Sequence, residues 1–121
     1  PARNVAAAAI EKGVPTRVAF WGLATAEAVA AEEGQADLIA LNNVLAHVPD
    51  INDFAAGLKI ALKPEGVITV EFPHLYRLVE GKQFDTVYHE HYSYLSFLFV
   101  VRLFEAHGLR VFDVEELPTH G

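Results

Sequence analysis

The segment DTVYHEHYSYLS, residues 85–96, contains two histidines, a glutamate and three tyrosines. A packed core rarely holds ionisable and hydroxyl groups at this density, so the segment indicates a site or a polar surface. A neutral imidazole is well matched to take a proton near pH 7. A neighbouring carboxylate can orient the ring, and tyrosine hydroxyls can donate to a developing oxyanion. These residue types favour removal of a proton beside a carbonyl group.

Two other interpretations of this segment stay open. His89 and His91 lie on one face of an extended backbone and are candidate metal ligands, with Glu80 or Asp85 as a further ligand. No thiolate is available because the chain has no cysteine, so we predict no tightly bound metal within this chain. The segment is otherwise a polar surface loop without a chemical role.

A second polar group follows the apolar run ADLIAL, residues 36–41. A nearly continuous apolar run is typical of a strand buried on both faces, and ligands of parallel sheets bind beyond the carboxyl ends of strands. Asn42, Asn43 and His47 occupy that position. Trp21 and His74 follow two other predicted strands. Alternatively, the asparagines only tolerate an awkward backbone in a turn, and His47 packs as a polar bridge.

Helical and strand-like patterns alternate along the chain. We predict helices over residues 4–12, from Thr25 as N-cap to about Glu33, over 53–62 with Asp50 or Asn52 as cap, and from Ser96 to 105 or 107. We predict strands over 16–21, 36–41, 67–72 and 109–114, and an irregular segment over 73–95. This alternation predicts an α/β fold with about four strands in a mostly parallel sheet and flanking helices.

The composition restricts the partners of the chain. It has 121 residues, enough for one domain at most, and a net charge of −7 from 9 Lys+Arg and 16 Asp+Glu. An acidic balance without a basic run argues against nucleic acid and against an anionic membrane surface. The apolar runs are too short to span a bilayer, and no signal peptide is evident. We expect a cytoplasmic protein with a small-molecule partner.

Two stretches carry a family resemblance. ADLIALNNVLAHVPD, a helix and then LKPEGVITVEFP resemble the Rossmann-like class I methyltransferases that use S-adenosylmethionine. QFDTVYHEHYSYLS, with EFPHL before it and LPTHG after it, resembles the C-methyltransferases that act on nucleotide-linked keto-deoxysugars. The resemblance covers nearly the whole chain. It implies methylation of a carbon beside the keto group of such a sugar, through an enolate.

The resemblance also implies roles for individual residues. His91 is the expected base, Glu90 orients it, and Tyr88 donates to the enolate oxygen, whereas His89 has no assigned role. The expected substrate-binding residues are His74 and His120, and the expected cofactor-binding residues are Phe20, Trp21, Asn42, Asn43 and His47. Aromatic faces suit a purine, although a core Phe and a packing Trp explain Phe20 and Trp21 equally well.

Relatives of this kind carry a cysteine-rich zinc domain, a cofactor-binding domain and a carboxyl-terminal domain. The zinc domain is not evident here, and neither is the first strand of the cofactor-binding domain with its glycine-rich turn. The chain begins without methionine and ends on turn residues. We therefore expect residues 1–121 to be a partial methyltransferase domain from a longer protein, inactive alone. By resemblance, two further strands separate 16–20 from 36–41, so we expect residues 16–20 to stand apart, to pair differently or to be poorly ordered. An O- or N-methyltransferase, or a catalytically silent interaction segment, remains an alternative.

Overall fold

A computed structural model describes residues 2–118. Its elements, in chain order, are α1 (Arg3–Glu11), α2 (Leu23–Glu33), β1 (Ala36–Asn42), α3 (Ile51–Ala61), β2 (Leu62–Glu71), α4 (Leu75–Glu80) and α5 (Phe97–Ala106). Two 3₁₀ turns, Leu45–His47 and Phe84–Thr86, lie between them. No helix in the described part of the chain is long and apolar enough to cross a membrane.

Strands β1 and β2 pair in parallel, and α3 forms the crossover between them. The pairing ends with Asn42 beside Glu71, so the carboxyl ends of both strands meet at one edge. Helix α3 begins at Asp50, whose side chain accepts a hydrogen bond from the Asp53 amide at 3.0 Å. This cap satisfies a backbone donor that the first helical turn leaves without a partner. The predicted Asp50 cap is confirmed.

The core lies between α3, α5 and the inner face of the two strands. Leu45 and Leu58 are fully buried. The other buried members of this cluster are Val48, Phe54, Ala55, Leu95, Val100, Leu103 and Phe104. Burial of one such large apolar side chain contributes about 1.5–3 kcal/mol. The core therefore fixes the 3₁₀ turn at Leu45, which closely follows the carboxyl end of β1.

Helices α2 and α3 approach closely at two glycines. A side chain on Gly57 would meet the Gly22 backbone at 2.9 Å and the Trp21 indole nitrogen at 3.0 Å. A side chain on Gly22 would overlap the Asp53 carboxylate, which accepts a hydrogen bond from the Leu23 amide at 3.2 Å. Because neither position carries a side chain, residues 20–22 pack closely against α3.

The predicted helices form nearly where expected. Gly13, Gly34 and Gly108 follow α1, α2 and α5 with positive φ angles of 78°, 85° and 71°. Glycine adopts this conformation without steric cost, so the predicted helix ends are confirmed. The Ser96 cap of α5 is confirmed as well, because its hydroxyl accepts from the Phe99 amide at 3.2 Å.

Several predictions about regular structure are wrong. Thr25 does not cap α2, since the helix begins at Leu23 and Thr25 donates to the Phe20 carbonyl at 2.8 Å. Helix α4 interrupts the segment predicted to be irregular. Residues 63–66, expected to end α3 as a turn, belong to β2 but lie at an irregularity of the sheet, between the pairs Ala36–Leu62 and Leu38–Val67.

Two of the four predicted strands are not formed in the described chain. Residues 16–21 pair with no strand and stand apart from β1, one of the outcomes expected for them. Residues 109–114 form no strand and join no ladder in the described chain, although Leu109 and Val111 pack against the core. Strand β1 therefore has β2 as its one described neighbour. Leu38, whose side chain lies on one face of the sheet, is 62% exposed, so the prediction of a strand buried on both faces is wrong.

Candidate active site

The carboxyl ends of β1 and β2 carry a network of amides around one carboxylate. The Asn42 amide nitrogen donates to Glu71 Oε2 at 2.8 Å, and the Asn43 amide nitrogen donates to Glu71 Oε1 at 3.0 Å. The Asn43 backbone amide also donates to the Glu71 carbonyl at 2.9 Å. The two predicted asparagines thus lie together, and Glu71, which the sequence analysis missed, joins them.

The segment containing residues 88–91 docks onto the 3₁₀ turn that follows β1. The Tyr92 and Ser93 amides donate to the Ala46 carbonyl at 2.9 and 3.3 Å. In return, His47 Nδ1 lies 2.9 Å from the Glu90 carbonyl oxygen. These three contacts bring residues that are more than forty positions apart in sequence to the same edge of the sheet.

His91 is half-buried at the centre of a group of rings. Its ring centroid lies 4.3 Å from that of Tyr88, 4.8 Å from that of His47 and 6.0 Å from that of Tyr94. Contacts of this kind restrict the rotation of the imidazole. The structure therefore brings His91 and Tyr88 together, as their predicted roles require. It adds His47, which we had assigned to the cofactor.

The orientation of His91 depends on a backbone carbonyl. Its Nδ1 lies 2.8 Å from the Thr86 carbonyl oxygen. Since a carbonyl can only accept, Nδ1 carries the hydrogen, and the lone pair of the neutral ring is on Nε2. The same argument places the lone pair of His47 on Nε2, because its Nδ1 donates to the Glu90 carbonyl. Each ring therefore keeps one nitrogen able to accept a proton.

The side chain of Glu90 does not orient His91 here. Glu90 is exposed, and its carboxylate makes no hydrogen bond within residues 2–118; the main chain of Thr86 holds the ring instead. Tyr88 is 43% exposed, so its hydroxyl is open to a ligand. His89 is exposed and touches the edge of the Tyr88 ring at a centroid distance of 6.5 Å.

Of the two residues expected at the sugar, the structure describes His74. His74 precedes α4 and forms a parallel bridge with Leu95, and its ring lies 6.2 Å from that of Tyr76. No ring contact joins it to His91 in the described chain. His120 lies outside the described residues. Within residues 2–118, no three histidine, aspartate or glutamate side chains are grouped closely enough to hold a metal ion.

A cluster of charges connects α4 to the carboxyl-terminal segment. The Arg77 guanidinium donates to both oxygens of Glu116 at 2.7 and 3.0 Å, and to Glu80 at 2.5 Å. The hydrogen bonds that Arg77 donates hold the pKa of Glu116 below its ordinary value, and the two carboxylates that accept them, Glu116 and Glu80, raise the pKa of Arg77. This cluster joins Glu116 to α4, the helix that begins directly after His74.

The two aromatic residues predicted for the cofactor differ in their surroundings. Phe20 is 78% exposed, so its face is open to a flat purine. Trp21 packs against the core, and its indole nitrogen is buried without a hydrogen-bond acceptor in the described chain. Phe20 thus presents an exposed aromatic face, and Asn42 and Asn43 present polar groups; their roles at a cofactor stay predictions.

Comparisons with known proteins found a matching family and a similar curated protein. Residues 5–114 match a family described as "Methyltransferase domain". A curated relative, "C-methyltransferase NovU" from Streptomyces niveus, is 42% identical over 121 residues. The alignment covers 100% of this chain and 29% of the relative. The chain thus spans under a third of the relative's length.

Proposed function

Because this chain belongs to the methyltransferase domain family and has its Rossmann-like α/β fold, we propose that the full-length protein transfers a methyl group from S-adenosylmethionine to carbon. The proposed acceptor is a carbon beside the keto group of a nucleotide-linked deoxysugar. Identity of 42% to a protein named as a C-methyltransferase supports transfer to carbon. The sugar rests on the resemblance of the segments around residues 71–75, 83–96 and 117–121.

One observation carries the proposal more than any other: the hydrogen bond between His91 Nδ1 and the Thr86 carbonyl at 2.8 Å. It leaves Nε2 as a proton acceptor on a half-buried ring that Tyr88 contacts at 4.3 Å. A base beside a ring that carries a hydroxyl donor is the combination that favours enolisation of a ketone.

In the proposed mechanism, His91 Nε2 removes the proton from the carbon beside the keto group. The hydroxyl of Tyr88 donates to the oxygen that becomes negative. The Thr86 carbonyl then stabilises the imidazolium through Nδ1–H, and the exposed Glu90 carboxylate adds negative charge nearby. S-adenosylmethionine, when bound, supplies an electrophilic methyl group on a sulfonium.

The second ring of the site, His47, also has its lone pair on Nε2. Its centroid lies 4.8 Å from that of His91, which supports a role at the sugar in place of the cofactor. His47 then donates to or accepts from a substrate hydroxyl beside the reacting carbon.

The test uses the full-length protein and a panel of nucleotide-linked keto-deoxysugars. We expect mass spectrometry to find one added methyl group, joined through a carbon–carbon bond, when S-adenosylmethionine is present. With S-adenosylhomocysteine in deuterated buffer, the hydrogen beside the keto group should exchange without methyl transfer. Methylation of a hydroxyl or amine without such exchange would establish an O- or N-methyltransferase. Failure to bind either cofactor form would favour the silent segment.

A further inference from the structure

Glu71 contacts both of the asparagines that follow the apolar run of β1. Its two carboxylate oxygens accept separate hydrogen bonds from the side-chain amides of Asn42 and Asn43, at 2.8 and 3.0 Å. Glu71 is half-buried and is the residue paired with Asn42 in the sheet. It lies at the last position of β2, so it belongs to the same edge as the asparagines.

The backbone of Asn43 makes this convergence possible. Neighbouring residues of a regular strand point to opposite faces, so Asn42 and Asn43 would ordinarily diverge. Asn43 has a φ of 54°, in the left-handed region, and this turn brings its side chain to the same carboxylate. Asparagine tolerates this conformation better than most residues with a side chain.

The hydrogen bonds determine which end of each amide is available to a ligand. A carboxylate can only accept, so the nitrogen of each amide points to Glu71. The carbonyl oxygen of each amide is at the opposite end of the group. The network therefore presents two acceptors, and it favours a ligand group that donates, such as an amino or hydroxyl group.

We propose that Glu71 is a positioning residue of the cofactor site, which turns the amide oxygens of Asn42 and Asn43 toward donor groups of the adenosyl cofactor. This inference rests on the proposed function, because it takes S-adenosylmethionine as the ligand. It goes beyond that proposal by assigning a role to a residue that need not touch the cofactor itself.

Exchanging the carboxylate and the amide between positions 71 and 43 tests this role. In Glu71→Gln, the new amide can accept from one asparagine but must donate to the other, so one of the two amides is forced to flip. The flipped amide presents N–H where the ligand also presents a donor. When Glu71→Gln is combined with Asn43→Asp, the introduced amide donates to the introduced carboxylate, and position 43 again presents an acceptor oxygen.

We would measure the Kd of S-adenosylhomocysteine by isothermal titration calorimetry in the full-length protein, with the melting temperature of each variant. Glu71→Gln should raise the Kd about tenfold, which is about 1.4 kcal/mol. Asn43→Asp alone should raise the Kd at least as much, because it places a second carboxylate beside that of Glu71. The double variant should return to within about threefold of the unchanged protein. In turnover, Glu71→Gln should raise the KM for S-adenosylmethionine with little change in kcat.

Glu65→Gln is the matched control, because Glu65 is an exposed residue of the same strand and its side chain makes no hydrogen bond within residues 2–118. It should leave the Kd unchanged. Asn43→Gly keeps a left-handed backbone and removes one amide, so it should weaken binding without lowering the melting temperature. If Glu71→Gln does not fold, the Kd of Asn43→Gly tests the inference instead.

Three outcomes would overturn the inference: an unchanged Kd in Glu71→Gln and Asn43→Gly, no recovery in the double variant, or affinity losses that only follow losses in melting temperature. If the unchanged protein binds neither S-adenosylmethionine nor S-adenosylhomocysteine, the proposed function itself fails. If it binds both and the variants behave like the Glu65→Gln control, only the role of Glu71 fails.

Discussion

Replacement of His91 by asparagine would separate the roles of the two nitrogen atoms of the ring. The amide nitrogen of asparagine takes the place of Nδ1, so it can still donate to the Thr86 carbonyl that now lies 2.8 Å from the ring. Asparagine has no counterpart of Nε2. His91→Asn therefore keeps the contact that positions the residue and removes the proposed base.

The expected magnitudes follow from these contacts. Loss of a positioned general base lowers turnover by about 10²–10⁴, or about 2.7–5.5 kcal/mol. Loss of the ring contact to Tyr88, now at 4.3 Å, lowers the free energy of unfolding by about 0.5–1.5 kcal/mol. His91→Ala also loses the hydrogen bond to Thr86, which lowers the free energy of unfolding by about another 0.5–1.5 kcal/mol. The free energy of unfolding should thus fall in His91→Asn and fall further in His91→Ala, whereas turnover should fall equally in both variants.

The assay is exchange of the hydrogen beside the keto group, followed in deuterated buffer with S-adenosylhomocysteine bound. Exchange should disappear in His91→Asn and His91→Ala alike, with the Kd of the cofactor almost unchanged. His89→Ala is the control, because His89 is exposed and has no assigned role. Glu90→Gln should reduce exchange less than either His91 variant. Exchange at the original rate in His91→Asn would refute the assignment of the base, and a collapse of cofactor affinity would place residues 88–91 in the cofactor site.

Three further predictions concern stability and pH. Gly22→Ala should lower the free energy of unfolding by about 1–3 kcal/mol, because the new methyl group displaces the Asp53 carboxylate; equal denaturation midpoints would contradict this. Ser96→Ala should cost about 1 kcal/mol by removing the cap of α5, and Ser96→Thr should retain most of the stability in the same denaturation experiment. The lowered pKa of Glu116 means that its contact with Arg77 stabilises the fold above the ordinary glutamate pKa and is lost as the pH falls through the lowered value; a carboxyl NMR titration should show the shift, and an Arg77→Gln variant that retained it would disprove the cause.

The helices could be predicted because their signals are local. Asp50 and Ser96 cap the helices that follow them, and each requires only the amide three residues later. Gly34 and Gly108 end helices through their own backbone conformation. Such interactions involve neighbours in sequence, so composition and spacing are sufficient to find them.

The strands could not be predicted with the same success, because a strand needs a distant partner. Residues 16–21 and 109–114 have strand-like sequences, but the described chain offers them no ladder. Residues 62–66, which contain Pro64 and Gly66, belong to β2, but of these only Leu62 pairs with β1, and the register shifts between Ala36 and Leu38. A strand-like sequence is therefore not sufficient to determine strand pairing.

The residues proposed as reacting groups were found from the sequence, whereas the groups that hold them were not. The family resemblance named His91 and Tyr88, whose rings lie in contact, and their catalytic roles stay predictions. Thr86 and Glu71 act through a backbone carbonyl and through a carboxylate placed by strand pairing. Neither contribution has a signature in the residue type, so each depends on three-dimensional coordinates.

His47 shows how the two halves of the site are connected. It lies in the 3₁₀ turn after the asparagines of β1, and its Nδ1 is held by the Glu90 carbonyl at 2.9 Å. Because the Ala46 carbonyl beside it receives the Tyr92 amide, residues 88–92 cannot move without moving this turn. Leu45, which is fully buried, anchors the turn to the core. The proposed base on one segment and the proposed cofactor residues on another are therefore held at a fixed separation by the core, as transfer between two bound molecules requires.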